Sequence, residues 1–497
     1  MRFRSLLLAG LVAPALNACA GPMAGSGPSA ARGPGGAAIT AGDLRRDLFF
    51  LASDSMRGRR GATDDELRAS MWLAAQAQAM GLQPAGDDGT FFQFFPVRRF
   101  RMSETSTVTL GGRTLRLWED AVVMAPVDAR VDAPVMSGDA PLAAGAASDR
   151  AVVARLRPPA TQTPRWVSLW SWRQTSGAVN AQRTALTPAS PSALVFVADS
   201  VGLLAFENLI KSAREGRYLL DTLGVNPRAN IPPVPVILVR PEVVAGLDLS
   251  TARLTADLRT ESFIYPSVNV VARVPGTDPA LRGEHVLFSG HQDHDGVNRP
   301  VNGDSIWNGA DDNATVSVAL LAIGRAFARE PGRRSALFVW HGSEERGLLG
   351  SYWYARTPTI PRSGIVAVLN ADMIGRNSPD SAALLGVTAP HRNSQALVNM
   401  ALAANPGFAL DSTWDAPTHP EGWYFRSDHL PYARVGIPAI FFTTLLHADY
   451  HTPEDEPERI DIAKLERMTR WMYATGWSVA NAAARPALDP QPAAPNR

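Results

Sequence analysis

The sequence predicts an α/β protein whose central sheet is mixed, mostly parallel and covered by helices on both faces, with a β-rich domain inserted into it. Three observations carry this. From Ser267 onward, short apolar runs alternate with helical stretches. Between about Arg99 and Phe263 the alternation gives way to short strands joined by long Pro/Ala-rich connections. The chain also has 497 residues, more than one hydrophobic core of ordinary size holds, and 45% of them are apolar, as in a folded globular protein.

The amino end differs from everything after it. Met1 to Arg4 carries two arginines, the stretch 5–16 is apolar apart from Gly10 and Pro14, and Leu16-Asn17-Ala18-Cys19 follows. A charged start before a short apolar run describes a signal peptide, too short to span a bilayer as a permanent helix. Its Leu-x-Ala-Cys ending resembles the lipobox of bacterial lipoproteins, which implies an acylated Cys19 anchored to the membrane. With Ala20 rather than Asp next, the periplasmic face of the outer membrane is the expected address. Cys19 is the only cysteine, so no internal disulfide and no cysteine-rich metal site is expected. The expected division is a signal peptide at 1–18, a lipidated cysteine and tether at 19–38, a core fold split into 39–98 and 264–485, an insertion at 99–263 and a disordered tail at 486–497. The tether is almost entirely Gly, Pro, Ala and Ser and buries too little to fold.

Order begins near Thr40, a cap for an amphipathic helix over 41–51; a second helix over 64–80 is ended by Gly81, and the aromatic cluster at 90–97 reads as a strand. In the insertion, strands are predicted at 107–117, 193–197 and 234–239, with one clear helix at 203–214. No cluster of His, Asp and Glu occurs there, so this region is expected to lack chemistry of its own. Strands then fall at 285–289, 335–340, 365–369 and 437–443, with helices at 314–329, 346–354, 392–404 and 462–483. Apolar strands separated by helices mean a largely parallel sheet covered on both faces. Such sheets bind ligands beyond the carboxyl ends of their strands.

Lys and Arg number 48 against 47 acidic residues, leaving no field to attract phosphate backbones, and nucleic acid is excluded as a partner on that ground. Lysine appears only at Lys211 and Lys464, a bias from which no functional message is read.

The polar residues lie where the sheet argument requires. All nine histidines fall between His285 and His451. The first core strand runs into Gly290-His291-Gln292-Asp293-His294-Asp295. Gly309-Ala310-Asp311-Asp312-Asn313-Ala314 opens a helix, His341-Gly342-Ser343-Glu344-Glu345-Arg346-Gly347 follows the next strand, Asn370-Ala371-Asp372 the next, and Tyr450-His451-Thr452-Pro453-Glu454-Asp455 the last. Singly, each has an ordinary explanation: Asp-Asp before a helix is a cap, Glu-Glu-Arg a solvated first turn, His-x-Asp a surface loop. Together they aim carboxylates and imidazoles at one edge of one sheet, where like charges would repel and raise each other's pKa unless cations neutralised them. Glu344 and Glu345 can share a site only if the chain turns out of the sheet, because consecutive strand residues face opposite sides; Gly342 and Gly347 bracket that turn.

This ordered series resembles the di-zinc aminopeptidase family that includes bacterial leucyl aminopeptidases, aminopeptidase Y, glutamate carboxypeptidase and glutaminyl cyclase. The likeness covers Ser267 to about Ala483, with Leu51-Ala52-Ser53-Asp54 and Gly58-Arg59 resembling the family's amino-terminal helices. The insertion resembles a protease-associated domain. The resemblance implies a zinc-exopeptidase-like fold, two Zn2+ per chain (Co2+ or Mn2+ as substitutes) and peptide substrates. It makes His291, Asp312 and Asp372 ligands of one metal and Asp312, Glu345 and His451 ligands of the other, Asp312 bridging. Glu344 is then the general base, and Asp293 the carboxylate that orients His291. Two such cations clamp and acidify water and polarise the scissile carbonyl. His294 and Asp295 are left as loop residues, and Trp414, Trp423 and Tyr424 as packed aromatics or a wall for an apolar side chain. Thr315-Val316 stands where the family has Ser-Gly, a change of helix packing.

The leading expectation is an exported aminopeptidase. A second keeps the metals for carboxypeptidase, amide hydrolase or glutaminyl cyclase chemistry. A third is a catalytically dead lipoprotein that binds a partner, which the completeness of the ligand set disfavours. Sequence does not set the oligomeric state.

Overall fold

Strands that are buried on both faces must be largely apolar, and four runs meet that demand: His285–His291, Ser335–His341, Ile365–Ala371 and Ala439–Thr443 are buried at every position, their polar residues lying toward their ends. A computed structural model describes residues 33–222, 226 and 234–490. In it these four strands lie side by side and parallel, in the order Ala439–Thr443, Ile365–Ala371, His285–His291, Ser335–His341. Antiparallel strands flank them. Ser381–Leu385 pairs on one side, and on the other Thr260–Val274 and Phe92–Met102 form a long ladder closed by Arg217–Leu220. The sheet is mixed as expected, with these four parallel strands at its centre and one further short parallel pair, Ser381–Leu385 with Ala409–Leu410, at an edge.

Alternation along each strand divides the side chains between two cores. Val286, Phe288, Ala336, Phe338 and Trp340 pack with the helices Ala41–Leu51, Asp64–Ala79, Thr315–Arg329 and Ile462–Asn481. Leu287, Leu337 and Val339 turn the other way, onto Tyr354 and Tyr432 of the helices Leu349–Arg356 and His429–Arg434. The first helix begins as expected, with Thr40 accepting a hydrogen bond from the Asp43 amide.

The middle of the chain builds a separate eight-stranded sheet, including Thr107–Leu110, Ala129–Ser137, Ala151–Arg155, Ala193–Val197 and Val236–Val239, around its own apolar cluster. Among the described residues it carries two α-helices where one was expected. Ser200–Glu215 contains the anticipated one; Trp170–Leu186 is additional. That helix escaped the apolar periodicity because its inward face includes Gln174 and Thr175 beside Ala178 and Val179, and no side chain caps its start. The signal peptide, Cys19, the tether up to residue 32 and the tail from 491 lie outside the described residues. Among the described residues no helix is long and apolar enough to cross a membrane.

The long carboxyl-terminal helix lies directly on the sheet at Gly476, where a Cβ would stand 2.1 Å from Phe288 Cζ. Alanine gains about 1 kcal/mol in helix propensity, but overpacking costs about 1–3 kcal/mol. Gly476→Ala is expected to lower the thermal unfolding midpoint; a raised midpoint would show that the contact yields.

Candidate metal centre

The polar loops are placed by backbone groups as much as by the strands. His291 ends its strand, and its Nδ1 lies 3.0 Å from the main-chain oxygen of Asp293. That contact puts the ring hydrogen on Nδ1 and leaves the Nε2 lone pair for the cluster. Asp312 sits just after Gly309, whose φ is 57°, and both it and Asp311 donate backbone N–H groups to the Asp455 carboxylate at 3.0–3.1 Å. The last residue of the Thr-Pro-Glu-Asp run thus fixes the backbone that carries Asp312. Glu344 and Glu345 leave the sheet through a turn in which Ser343, Gly347 and Leu348 all have positive φ. Gly342 admits no side chain, since a Cβ there would lie 2.4 Å from both Glu66 Oε1 and the Val268 carbonyl oxygen. Buried Glu66 in turn accepts the Ser343 amide at 2.9 Å.

These placements bring together all five expected donors. His291 Nε2 stands 3.2 Å from Asp312 Oδ1 and 3.5 Å from Asp372 Oδ2. His451 Nε2 stands 3.2 Å from Asp312 Oδ2 and 3.3 Å from Glu345 Oε1. Asp312 therefore offers one oxygen to each group. Glu344 Oε2 is 3.8 Å from His291 Nε2.

The donor set fits divalent cations. Buried polar atoms normally have partners, yet Nε2 of His291, His294 and His451 and Oδ1 of Asp372 are buried without a hydrogen bond. Burial pushes the Asp293 and Asp372 carboxyls up to about 6. Burial, joined by the charges of Glu345, Asp428 and Asp372, carries Glu344 well above the usual carboxylate range. Burial alone would raise Glu345 too, but His451 and His294 hold it down to about 2. So many crowded acids ionise together only beside positive charge.

Three details differ from expectation. The Asp293 carboxylate lies 3.9 Å from His291 Nδ1, farther than the same residue's main-chain oxygen; its oxygens instead accept the Glu344 and Glu345 amides at 2.9 and 3.4 Å. The short loop lets the nearer carbonyl reach the ring and turns the carboxylate toward the glutamate turn. His294 is no surface loop residue: it is wholly buried, with Nδ1 2.9 Å from Glu345 Oε1, and it joins Asp312, Glu345 and His451 in one donor group. Asp295 is buried as well, 3.3 Å from His451 Nδ1. Trp423 and Tyr424 are packed into a core with Phe441. Sequence reasoning also gave no role to Tyr450 and Arg426, yet Arg426 Nη2 donates to the Tyr450 hydroxyl at 2.9 Å, and the Tyr450 ring lies 4.0 Å from that of His451. Position next to a ligand was the available signal.

Fold and donor set together define the class: an α/β protein that gathers cation ligands at the carboxyl edge of its parallel strands. This chain matches the model of Peptidase family M28 over residues 269–476. It is similar to a probable leucine aminopeptidase of Arthroderma benhamiae, 26% identical over 229 residues, covering 44% of this chain and 58% of that protein. It is also similar to leupeptin-inactivating enzyme 1 of Streptomyces exfoliatus, 30% identical over 200 residues, 38% of this chain and 39% of the relative. Both curated relatives are matched over less than two thirds of their length. The aminopeptidase from Aneurinibacillus sp. strain AM-1 shares the fold, with a TM-score of 0.56, 16% identity and coverage of 92% of this chain and 98% of its own.

Arg59 ties the site together. It is wholly buried and donates to the carbonyl oxygens of Leu51, Gln292, Asn308 and Gly309 at 2.7–2.9 Å, joining the His291 and Asp312 loops. Burial pushes its pKa down to about 10, which leaves it charged at neutral pH. In Arg59→Met these acceptors lose their partner, each at a cost of about 1–3 kcal/mol. The expected result is a markedly lower thermal midpoint with weakened zinc binding in equilibrium dialysis; an unchanged midpoint would remove Arg59 from this role.

Proposed function

We propose that this chain is an exported, zinc-dependent aminopeptidase that removes residues from the amino end of peptides. The observation that carries the reading is the meeting of His291, Asp312, Glu345, Asp372 and His451, with Asp312 between the two histidines. Nitrogen and oxygen donors without sulfur suit catalytic zinc, and Co2+ or Mn2+ would accept the same set. His291, Asp312 and Asp372 would hold one ion and Asp312, Glu345 and His451 a second. The names of the similar proteins, leucine aminopeptidase among them, support the choice of reaction. The completeness of the donor set weighs against a binding-only role.

Zinc bound there would acidify a water and polarise the scissile carbonyl. Glu344, at the edge of the cluster, takes the proton from the attacking water and passes it to the leaving amine. Burial pushes the Tyr450 phenol up, so it stays protonated, and with Arg426 beside it the hydroxyl donates a hydrogen bond where negative charge develops on the carbonyl oxygen. His294 Nδ1, 2.9 Å from Glu345 Oε1, holds that carboxylate in the second donor group.

Glu344→Gln is expected to retain zinc while turnover falls by roughly a thousandfold; undiminished hydrolysis would refute its assignment as base. Given a panel of aminoacyl anilides, amino-blocked peptides and glutaminyl substrates, the zinc-loaded protein is expected to cleave only those with a free amino group. Cleavage of blocked peptides or cyclisation of glutamine would replace the aminopeptidase reading with a relative's chemistry.

The charged and apolar start followed by Leu16-Asn17-Ala18-Cys19 supports export and lipid anchoring. Cells expressing the chain should incorporate labelled palmitate into it, and Cys19→Ser should abolish the label. Persistent labelling would place the lipid elsewhere.

A further inference from the structure

The insertion was expected to have no chemistry, yet the helix Ser200–Glu215 brings two side chains to residues beside the metal centre. Lys211 Nζ donates to Asp295 Oδ2 at 2.9 Å, and the same oxygen lies 3.3 Å from His451 Nδ1. The Lys211 ammonium also lies 4.3 Å from the centre of the Trp307 ring, held between that face and the carboxylate. One helical turn later, Glu215 takes Arg346 Nη1 at 3.0 Å and Arg60 Nη2 at 3.2 Å, and Arg346 directly follows the metal-side Glu345. The end of this helix is seated firmly on the peptidase sheet. Arg99 Nε donates to the Glu215 carbonyl at 2.8 Å, and Gly216 admits no Cβ because the Phe100 carbonyl oxygen would be 2.4 Å away.

We propose that Lys211 is a positioning residue for His451: it holds the Asp295 carboxylate that fixes the imidazole, so the inserted domain is an integral part of the metal centre. With Asp295 Oδ2 3.3 Å from Nδ1 of His451, the carboxylate favours the hydrogen on that nitrogen and leaves the Nε2 lone pair toward Asp312 and Glu345, where a cation would sit. Two peptide segments 84 residues apart thereby act on one ligand. The same helix walls the cleft beside the cluster, a cavity of about 260 Å³ that Asn208, Lys211 and Glu215 share with Asp295, Glu345 and His451. The inserted domain is thus in reach of the substrate as well as of the ligand.

This inference rests on the zinc reading of the cluster, and the test separates the two. Zinc affinity of the full-length protein is measured by competition with a chromophoric chelator for the wild type, Lys211→Met, Lys211→Arg, Asp295→Asn and the double variant Lys211→Met with Asp295→Asn, with kcat and KM on an aminoacyl anilide alongside. Lys211→Met keeps the stem on Trp307 and removes the charge. Loss of a partner behind a ligating histidine weakens metal binding by about 10–100-fold. One zinc is expected to bind at least tenfold more weakly in Lys211→Met and in Asp295→Asn, with no further loss in the double variant, while Lys211→Arg restores part of it. kcat should fall more than KM rises at subsaturating zinc. The thermal midpoint of the zinc-free variants reports folding, and if Lys211→Met fails to fold, Asp295→Asn decides alone. Variants that bind both ions as tightly as the wild type overturn the inference while leaving the metal reading intact; a wild type that binds no zinc overturns the metal reading itself.

Discussion

Asp312 sends one carboxylate oxygen to the neighbourhood of His291 and Asp372 and the other to that of His451 and Glu345, and the surroundings must keep that oxygen pair in place among other acids. Asp293, Glu344 and Asp372 are buried close by, and burial drives each toward its neutral form. A protein cannot relax such crowding by letting the loops drift apart and still bind cations. It has to fix the loops through their backbones and leave the carboxylates to the metal.

The fixing groups are themselves buried ionisable side chains bonded chiefly to backbone groups. Arg59 bonds to carbonyls of the loops that hold His291 and Asp312, Asp455 takes the amides of Asp311 and Asp312, and Glu66 takes the amide of Ser343 at the glutamate turn. Each would be costly alone. Each is satisfied because the strand ends expose unpaired amides and carbonyls at the carboxyl edge, where the ladder stops. The requirement of an open sheet edge and the requirement of a rigid ligand frame are met by the same backbone groups. The glycines at 309, 342 and 347 belong to this frame, by positive φ at the first and last and by the close approach of Glu66 and Val268 at the second.

What was legible in the sequence follows from this division. The polar segments could be read because most of them follow an apolar strand while the Asp311-Asp312 pair opens a helix, and the roles of the five donors and Glu344 came from the likeness of that ordered series to a family. The central strands and most helices were legible because periodicity is local. His294 and Asp295 were not, because their roles depend on Glu345, His451 and Lys211, which lie distant in the chain. Asp293 could be placed near His291 by spacing, but whether its carboxylate or its carbonyl faces the ring is a matter of a few tenths of a turn in one loop. The helix Trp170–Leu186 was hidden by polar residues on its inward face.

The two lysines show how much meaning composition can conceal. Among 48 basic side chains only Lys211 and Lys464 are not arginine, which reads as bias. In the fold Lys464 is wholly buried and directs its ammonium at the carbonyl oxygens of Arg376 and Ser378, at 2.5 and 2.7 Å, in the loop that follows Asp372. Lys211 directs its own at Asp295, behind His451. Both therefore brace a segment adjoining a candidate donor, Lys464 the loop after Asp372 and Lys211 the carboxylate beside His451. An ammonium is a compact donor that can bring several acceptors to one point, whereas a planar guanidinium needs a wider fork of space. At Lys464 two carbonyl oxygens converge on such a point, and at Lys211 one carboxylate oxygen and the face of Trp307 do.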